Sequence, residues 1–94
     1  MSTQISHEGE LAEDRERLLR ELIAEQGPNW LEQFKPGSLG CHELLDRTAF
    51  LAAAVYEQLA EHPSCVQNEE WFALASTAVA ALNDLYQKVG AAHL

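Results

Sequence analysis

The sequence predicts an all-α fold: a small three-helix bundle built on an antiparallel helical hairpin. Residues 41–61 contain neither glycine nor proline and are rich in alanine and leucine, which is typical of one continuous helix. Two further segments, residues 8–26 and 69–89, repeat apolar residues at helical spacing. No segment alternates apolar and polar residues as a half-buried strand does. All 94 residues are therefore expected to form a single helical domain, with residues 1–7 disordered.

The first predicted helix covers residues 8–26. Its apolar side chains form one stripe among charged positions, as expected of an amphipathic helix: Leu11, Leu18, Leu19, Leu22 and Ile23. Gly27 can adopt the left-handed conformation that closes a helix, and Pro28 cannot continue one. The first helix is therefore expected to end at Gln26.

Residues 27–40 form the only segment that is rich in both glycine and proline. Trp30, Leu31 and Phe34 are spaced so that a single helical turn would lay all three onto the bundle. A proline–glycine pair then indicates a turn before Ser38, and Ser38 or a residue just after it is suited to cap the next helix. We therefore expect an aromatic plug loop over one end of the core.

The central helix is predicted to cover residues 41–62, to end before Pro63, and to be about 30 Å long. At 100° per residue, one broad face is apolar: Cys41, Leu44, Leu45, Thr48, Leu51, Ala52, Val55, Tyr56 and Leu59. Phe50, Ala53 and Ala54 fall on the other side, where a surface helix is expected to be polar. A helix that is apolar on two sides needs cover on both, from its own chain or from a partner.

The last helix is predicted to cover residues 69–89, with Asn68 as its N-cap and Gly90 at its end. Its apolar side chains recur at spacings of four and three residues, close to a coiled-coil pattern: Trp71, Ala75, Ala78, Leu82, Leu85 and Val89. Three more residues widen this stripe on one flank: Phe72, Val79 and Tyr86. A short connection separates this helix from the central one, which predicts an antiparallel hairpin.

The composition argues against several classes of function. A net charge of −9 opposes binding to nucleic acids and to anionic membranes. The longest apolar run, residues 49–56, is too short to cross a bilayer, and the N-terminal residues lack the features of a secretory signal. The sequence therefore predicts a cytoplasmic protein with reduced thiols. An acidic mimic of nucleic acid is a remote alternative that depends only on the negative charge.

The Phe50 side of the central helix is the first candidate functional surface. Arg47 and Glu57 flank Phe50, Ala53 and Ala54, as polar residues ring the core of a protein interface. The expected partner is a second copy of the chain, in a homodimer, or another protein. In the alternative arrangement the first helix covers these residues. Both arrangements stay open, because the order of helices around a small bundle cannot be read from such a pattern.

A second candidate is the end of the bundle where the central helix begins. In a hairpin the last helix returns to this end, so Cys41, His42, Glu43 and His93 are expected to converge beside the aromatic plug. The helix dipole would favour the thiolate of Cys41, and His42 is a possible base. The opposing interpretation is a structural cluster in which Cys41 is a small buried hydrophobe. The other cysteine lies about 30 Å away, which excludes an intrachain disulfide or a shared zinc ion.

Motifs that carry well-known chemistry are missing from the sequence. It has no glycine-rich phosphate loop, HExxH, CxxC, nucleophile-elbow serine or acidic calcium loop. The sequence therefore predicts a non-catalytic protein–protein interaction or regulatory module, without cofactor or metal, that self-associates through its central helix. The alternative is a ligand-, metal- or redox-responsive module that uses Cys41, His42 and His93.

Overall fold

The computed structural model describes the backbone of residues 3–93 and the side chains of residues 9–93. Every regular element in this part of the chain is helical, and the all-α prediction is confirmed. The elements follow in the order α1 (Thr3–Gln26), a 3-10 turn (Trp30–Gln33), α2 (Leu39–Val55), a π turn (Tyr56–Ala60), α3 (Pro63–Val66) and α4 (Glu69–His93). None of these helices combines the length and the apolar character that a membrane crossing requires.

The chain divides into two units, residues 1–32 and residues 33–94. The first unit contains α1, which begins at Thr3, five residues before its predicted start. Gly27 has a φ of +88°, and its N–H donates to the carbonyl oxygen of Ile23 at 2.9 Å, which ends α1 as predicted. A single domain over the whole chain stays a prediction. The predicted disorder of residues 1–7 also stays a prediction, and residues 1 and 2 lie outside the described residues.

Ion pairs within α1 organise its charged face. The guanidinium group of Arg17 donates to the carboxylates of Asp14 and Glu21, and the bond to Glu21 is 2.8 Å long. These hydrogen bonds, to Asp14 first and then to Glu21, raise the pKa of Arg17 above its ordinary value. The apolar stripe of α1 is only partly covered: Leu19 and Leu22 are half-buried, and Leu11, Leu18 and Ile23 are exposed.

The aromatic segment after α1 contains a single 3-10 turn, Trp30–Gln33. Trp30 is half-buried, whereas Leu31 is 53% exposed. Phe34 is also exposed, so the prediction that one helical turn lays Trp30, Leu31 and Phe34 together onto a bundle is wrong for Leu31 and Phe34. The reason is geometric, because a 3-10 turn has three residues per turn and turns neighbouring side chains about 120° apart.

A second turn, between this segment and α2, positions the start of α2. Gly37 has a φ of +92° after a proline, and the N–H of Ser38 donates to the carbonyl oxygen of Lys35 at 3.0 Å. This is the pattern of a type II turn. The hydroxyl of Ser38 then accepts a hydrogen bond from the N–H of Cys41 at 3.2 Å. The predicted cap at Ser38 is confirmed, and α2 begins at Leu39, two residues before its predicted start.

Helices α2 and α4 lie side by side, and their residues meet in opposite chain order. His42 lies beside His93, and a Cβ atom built on Gly90 would lie 3.8 Å from Cδ1 of Leu45. The buried side chains of α2 form one stripe: Cys41, Leu45, Thr48 and Ala52. The Thr48 hydroxyl donates to the carbonyl oxygen of Leu44 at 2.7 Å, so this buried polar group is satisfied.

The predicted core face of α2 needs correction, because several of its residues are exposed: Leu44, Leu51, Tyr56 and Leu59. Leu59 is 55% exposed, whereas Ala60 is fully buried. The cause is the π turn, in which the N–H of Glu61 donates to the carbonyl oxygen of Tyr56 at 2.9 Å. A π turn contains one residue more than an α turn, so Ala60 occupies the buried position that a regular helix would give to Leu59. The helix predicted over residues 41–62 is therefore continuous to Ala60, but its last five residues are a π turn and not a regular α-helix.

Helix α4 begins where predicted but extends beyond its predicted end. The side-chain oxygen of Asn68 accepts a hydrogen bond from the N–H of Trp71 at 3.0 Å, which confirms the N-cap. Gly90 does not end the helix, which continues to His93. Two alanines after Gly90 favour helix, and a Cβ atom at position 90 would make only an ordinary contact with Leu45, at 3.8 Å.

The face of α4 that contacts α2 is rotated relative to the predicted stripe. Ala75, Leu82 and Val89 are half-buried, but the other members of the stripe are exposed: Trp71, Ala78 and Leu85. The flank that contains Val79 and Tyr86 borders α2 instead. One apolar side of α4 is consequently exposed along the helix.

Candidate functional site

Phe50 lies in the middle part of α2 and is 71% exposed. Its buried neighbours Thr48 and Ala52 are two residues away, which turns the Phe50 side chain about 160° from them around the helix. Ala53 is exposed and Ala54 is half-buried, one turn further along the chain. These three residues form the outer face of α2.

The predicted polar rim of the outer face consists of Arg47 and Glu57, and both are exposed. The Nη2 atom of Arg47 lies 3.2 Å from Oε1 of Glu43, and both side chains are more than half exposed. Such a helical pair stabilises by only about 0.3–0.5 kcal/mol. These two charged residues border the outer face of α2, where Phe50 is exposed.

An open groove of about 600 Å³ lies beside the outer face, between α2 and α4. Small side chains of α2 and two tyrosine rings dominate its lining, which consists of Ala49, Ala52, Ala53, Tyr56, Val79, Asn83, Tyr86 and Gln87. The lining has no carboxylate, imidazole, thiol or ammonium group. The groove therefore suits an apolar side chain of a partner better than it suits acid–base chemistry.

His42 and His93 lie together at the start of α2. Their ring centroids are 5.5 Å apart, with 37° between the ring planes. Nδ1 of His93 accepts a hydrogen bond from the N–H of Gly37 at 2.8 Å. Nε2 of His42 lies 3.5 Å from Oδ2 of Asp46. His93 therefore connects the end of α4 to the turn that precedes α2.

We call Cys41, His42, Glu43 and His93 the end cluster. Cys41 and Glu43 make different contacts from the two histidines. Cys41 is 8% exposed on the buried stripe of α2, and Glu43 pairs with Arg47. Among the described residues, no hydrogen bond joins the Cys41 thiol to either imidazole. Nucleophilic catalysis needs a thiol and a base within hydrogen-bond reach, and this arrangement does not provide them.

His62 and Cys65 lie beyond the far end of α2, and His62 has a structural role there. Nδ1 of His62 accepts a hydrogen bond from the N–H of Ser64 at 3.0 Å and caps α3. Cys65 is half-buried, and like Cys41 it is a free cysteine. In the part of the chain that the structure describes, no three histidine, cysteine or acidic side chains are arranged to hold a metal ion.

Helix α4 carries an exposed apolar surface that was not predicted from the sequence. Leu74 is 67% exposed, and Ala78, Ala81 and Leu85 are exposed on the same side. The predicted core stripe of α4 includes Ala78 and Leu85 but neither Leu74 nor Ala81. The helical spacing of these four residues could have indicated an apolar side of α4. Which side of α4 is buried, however, depends on its rotation against α2.

The fold and these surfaces define a class: a small all-α protein with exposed apolar helix faces. Comparison with protein-family models, curated proteins and solved structures finds no match to this chain.

Proposed function

We propose that this chain is a non-catalytic protein–protein interaction or regulatory module that self-associates through the outer face of α2. The observation that supports this best is the 71% exposure of Phe50 in a regular helix. Arg47 and Glu57 border the apolar patch, as charged residues border the core of an interface. An exposed aromatic patch with such a rim is typical of an interaction site.

The energetics of an α2 contact support a homodimer. Burial of a phenylalanine side chain stabilises an association by about 1.5–3 kcal/mol. In a two-fold symmetric dimer every contact occurs twice, so Phe50 contributes from both copies. Ala53 and Ala54 are small and allow a partner helix to approach to an interaxial distance of about 8–10 Å. The groove beside Ala53 offers space for the Phe50 ring of the second copy.

Phe50→Glu tests this proposal. We expect the wild type to self-associate in sedimentation equilibrium and Phe50→Glu to raise the Kd for the α2 contact about a hundredfold, because two buried rings are lost and two carboxylates are brought together. Circular dichroism should show unchanged helicity, since Phe50 makes few contacts within its own chain.

Val66→Glu is the matched control, because Val66 is a 56% exposed apolar residue outside the outer face. It adds the same charge and should leave the Kd unchanged. A wild type that is monomeric throughout the measured range, or a Phe50→Glu variant that associates as tightly as the wild type, would overturn the proposal. A monomer that Phe50→Glu also destabilises would favour cover of Phe50 by the first helix.

The second candidate function, a ligand-, metal- or redox-responsive module at the end cluster, is favoured by the proximity of His42 and His93. The burial of Cys41 weighs against it. Metal titration and thiol labelling of the wild type, beside Cys41→Ser and His42→Ala, decide between the two functions. Wild-type behaviour in both variants would reject the responsive module and leave the interaction module unaffected.

A further inference from the structure

The exposed side of α4 carries four apolar residues in one narrow stripe: Leu74, Ala78, Ala81 and Leu85. They are spaced by four, three and four residues, which places them within an arc of about 60° on a regular helix. Leu74 is 67% and Leu85 is 42% exposed, and both alanines are exposed. We call these four residues the α4 stripe.

The α4 stripe is symmetric about its midpoint, which falls between Val79 and Ala80. Ala78 and Ala81 are equally far from this midpoint, and so are Leu74 and Leu85. An antiparallel contact between two copies of α4 would therefore place Leu74 of each copy against Leu85 of the other, and Ala78 against Ala81. A two-fold symmetric interface requires this self-complementarity, whereas an unrelated partner does not.

Charges on one edge of the α4 stripe support the same register. Glu70 and Lys88 are separated by 18 residues, which is five turns of an α-helix, so both lie on the same edge. In the antiparallel arrangement, Lys88 of each copy comes level with Glu70 of the other. Within the described residues, neither side chain forms an ion pair.

We infer that the α4 stripe is a two-fold symmetric interface with a second copy of this chain, in which the two α4 helices pack antiparallel. The central alanines allow close approach of the two helices, and the leucines at either end fill the space on both sides. This interface is separate from the outer face of α2, so it stands or fails independently of the proposed function. A chain with both faces active would assemble beyond a dimer.

Two adjacent alanines provide a matched test of this interface. Ala80 and Ala81 are both exposed in α4, but only Ala81 belongs to the α4 stripe. In sedimentation equilibrium of the full chain, Ala81→Glu should raise the Kd of the α4 contact by about tenfold or more, because it places two carboxylates near the two-fold axis. Ala80→Glu should leave the Kd unchanged. Equal effects of the two variants would overturn the inference.

A charge exchange tests the antiparallel register. Glu70→Lys and Lys88→Glu should each weaken association by about threefold to tenfold, since each variant brings like charges together twice per dimer. The double variant should return to within about twofold of the wild type. Additive weakening in the double variant would reject this register. Circular dichroism of each variant confirms that the helices are retained.

Combination with Phe50→Glu separates this inference from the proposed function. If both faces associate, the wild type exceeds a dimer, each single variant Phe50→Glu or Ala81→Glu is a dimer, and the double variant is a monomer. If only Ala81→Glu dissociates the protein, the α4 interface stands and the α2 interface fails. If only Phe50→Glu dissociates it, the α2 interface stands and the α4 interface fails.

Discussion

Gly40→Ala is expected to lower the free energy of unfolding by about 3 kcal/mol, because the added methyl group has no room. A Cβ atom at position 40 would lie 2.9 Å from Cε1 of Phe34, and it would overlap with Cδ1 of the same ring and with the backbone carbonyl oxygen of Gln33. A flexible side chain could turn away from such a clash, but a carbonyl oxygen moves only with its backbone. The turn before α2 would have to open.

The expected sign is the opposite of what helix propensity gives. Gly40 lies in the first turn of α2, and glycine within a helix ordinarily costs about 0.5–1 kcal/mol relative to alanine. Gly9→Ala is the matched control, because Gly9 lies in α1 and a Cβ atom there would meet nothing within 4 Å. We expect Gly9→Ala to stabilise the protein slightly.

Urea unfolding followed by circular dichroism measures both effects. The protein concentration must be the same for all variants, because self-association adds to the apparent stability. If Gly40→Ala unfolds at the same urea concentration as the wild type or at a higher one, the close contact between residues 33–34 and α2 does not form in solution.

Elements that depend on local chemistry could be predicted from the sequence. Gly27 ends α1 by adopting a positive φ, and Ser38 and Asn68 cap α2 and α4 through their own side chains. Each of these effects acts within about four residues, so a short pattern contains the information needed. The all-α class followed from the same local preferences, summed over long segments.

Features that depend on contact between α2 and α4 could not be predicted in the same way. Gly90 looks like a helix end in the sequence, but it lies inside α4 where that helix passes close to Leu45. The heptad-like spacing of α4 indicated an apolar side, but the rotation of α4 leaves Leu85 exposed and turns Tyr86 toward the groove beside α2. Two overlapping apolar stripes on one helix compete for the core, and only packing decides between them.

The candidate surfaces also differ in whether they could be predicted from the sequence. Phe50 could be selected from the sequence because its position around the helix is opposite to a long apolar face, and an isolated helix fixes that angle. The α4 stripe could not be selected, because Ala78 and Leu85 belong to a pattern that is equally typical of a core. Cys41 has the residue type of a reactive site, but its place on the apolar face of the central helix already favoured burial, and its side chain is buried.

Ala60→Leu is expected to lower the free energy of unfolding by about 3 kcal/mol, because it inserts three carbon atoms at a fully buried position. Ala60 is fully buried, whereas its neighbour Leu59 is 55% exposed. A regular helix would bury residue 59, which follows the buried Ala52 by two turns. The π turn exchanges these two positions and places the smaller side chain inside.

Leu59→Ala is the control for this prediction and should change the free energy of unfolding by less than about 1 kcal/mol, since Leu59 is more than half exposed.

Deletion of Gln58 tests whether burial of Ala60 in place of Leu59 is the reason for the π turn. It removes the extra residue of the π turn, so a regular helix would carry Ala60 into the buried position two turns after Ala52. We expect the deletion variant to unfold within about 1 kcal/mol of the wild type. If the deletion destabilises the protein as much as Ala60→Leu does, burial of alanine in place of leucine is not the reason for the π turn.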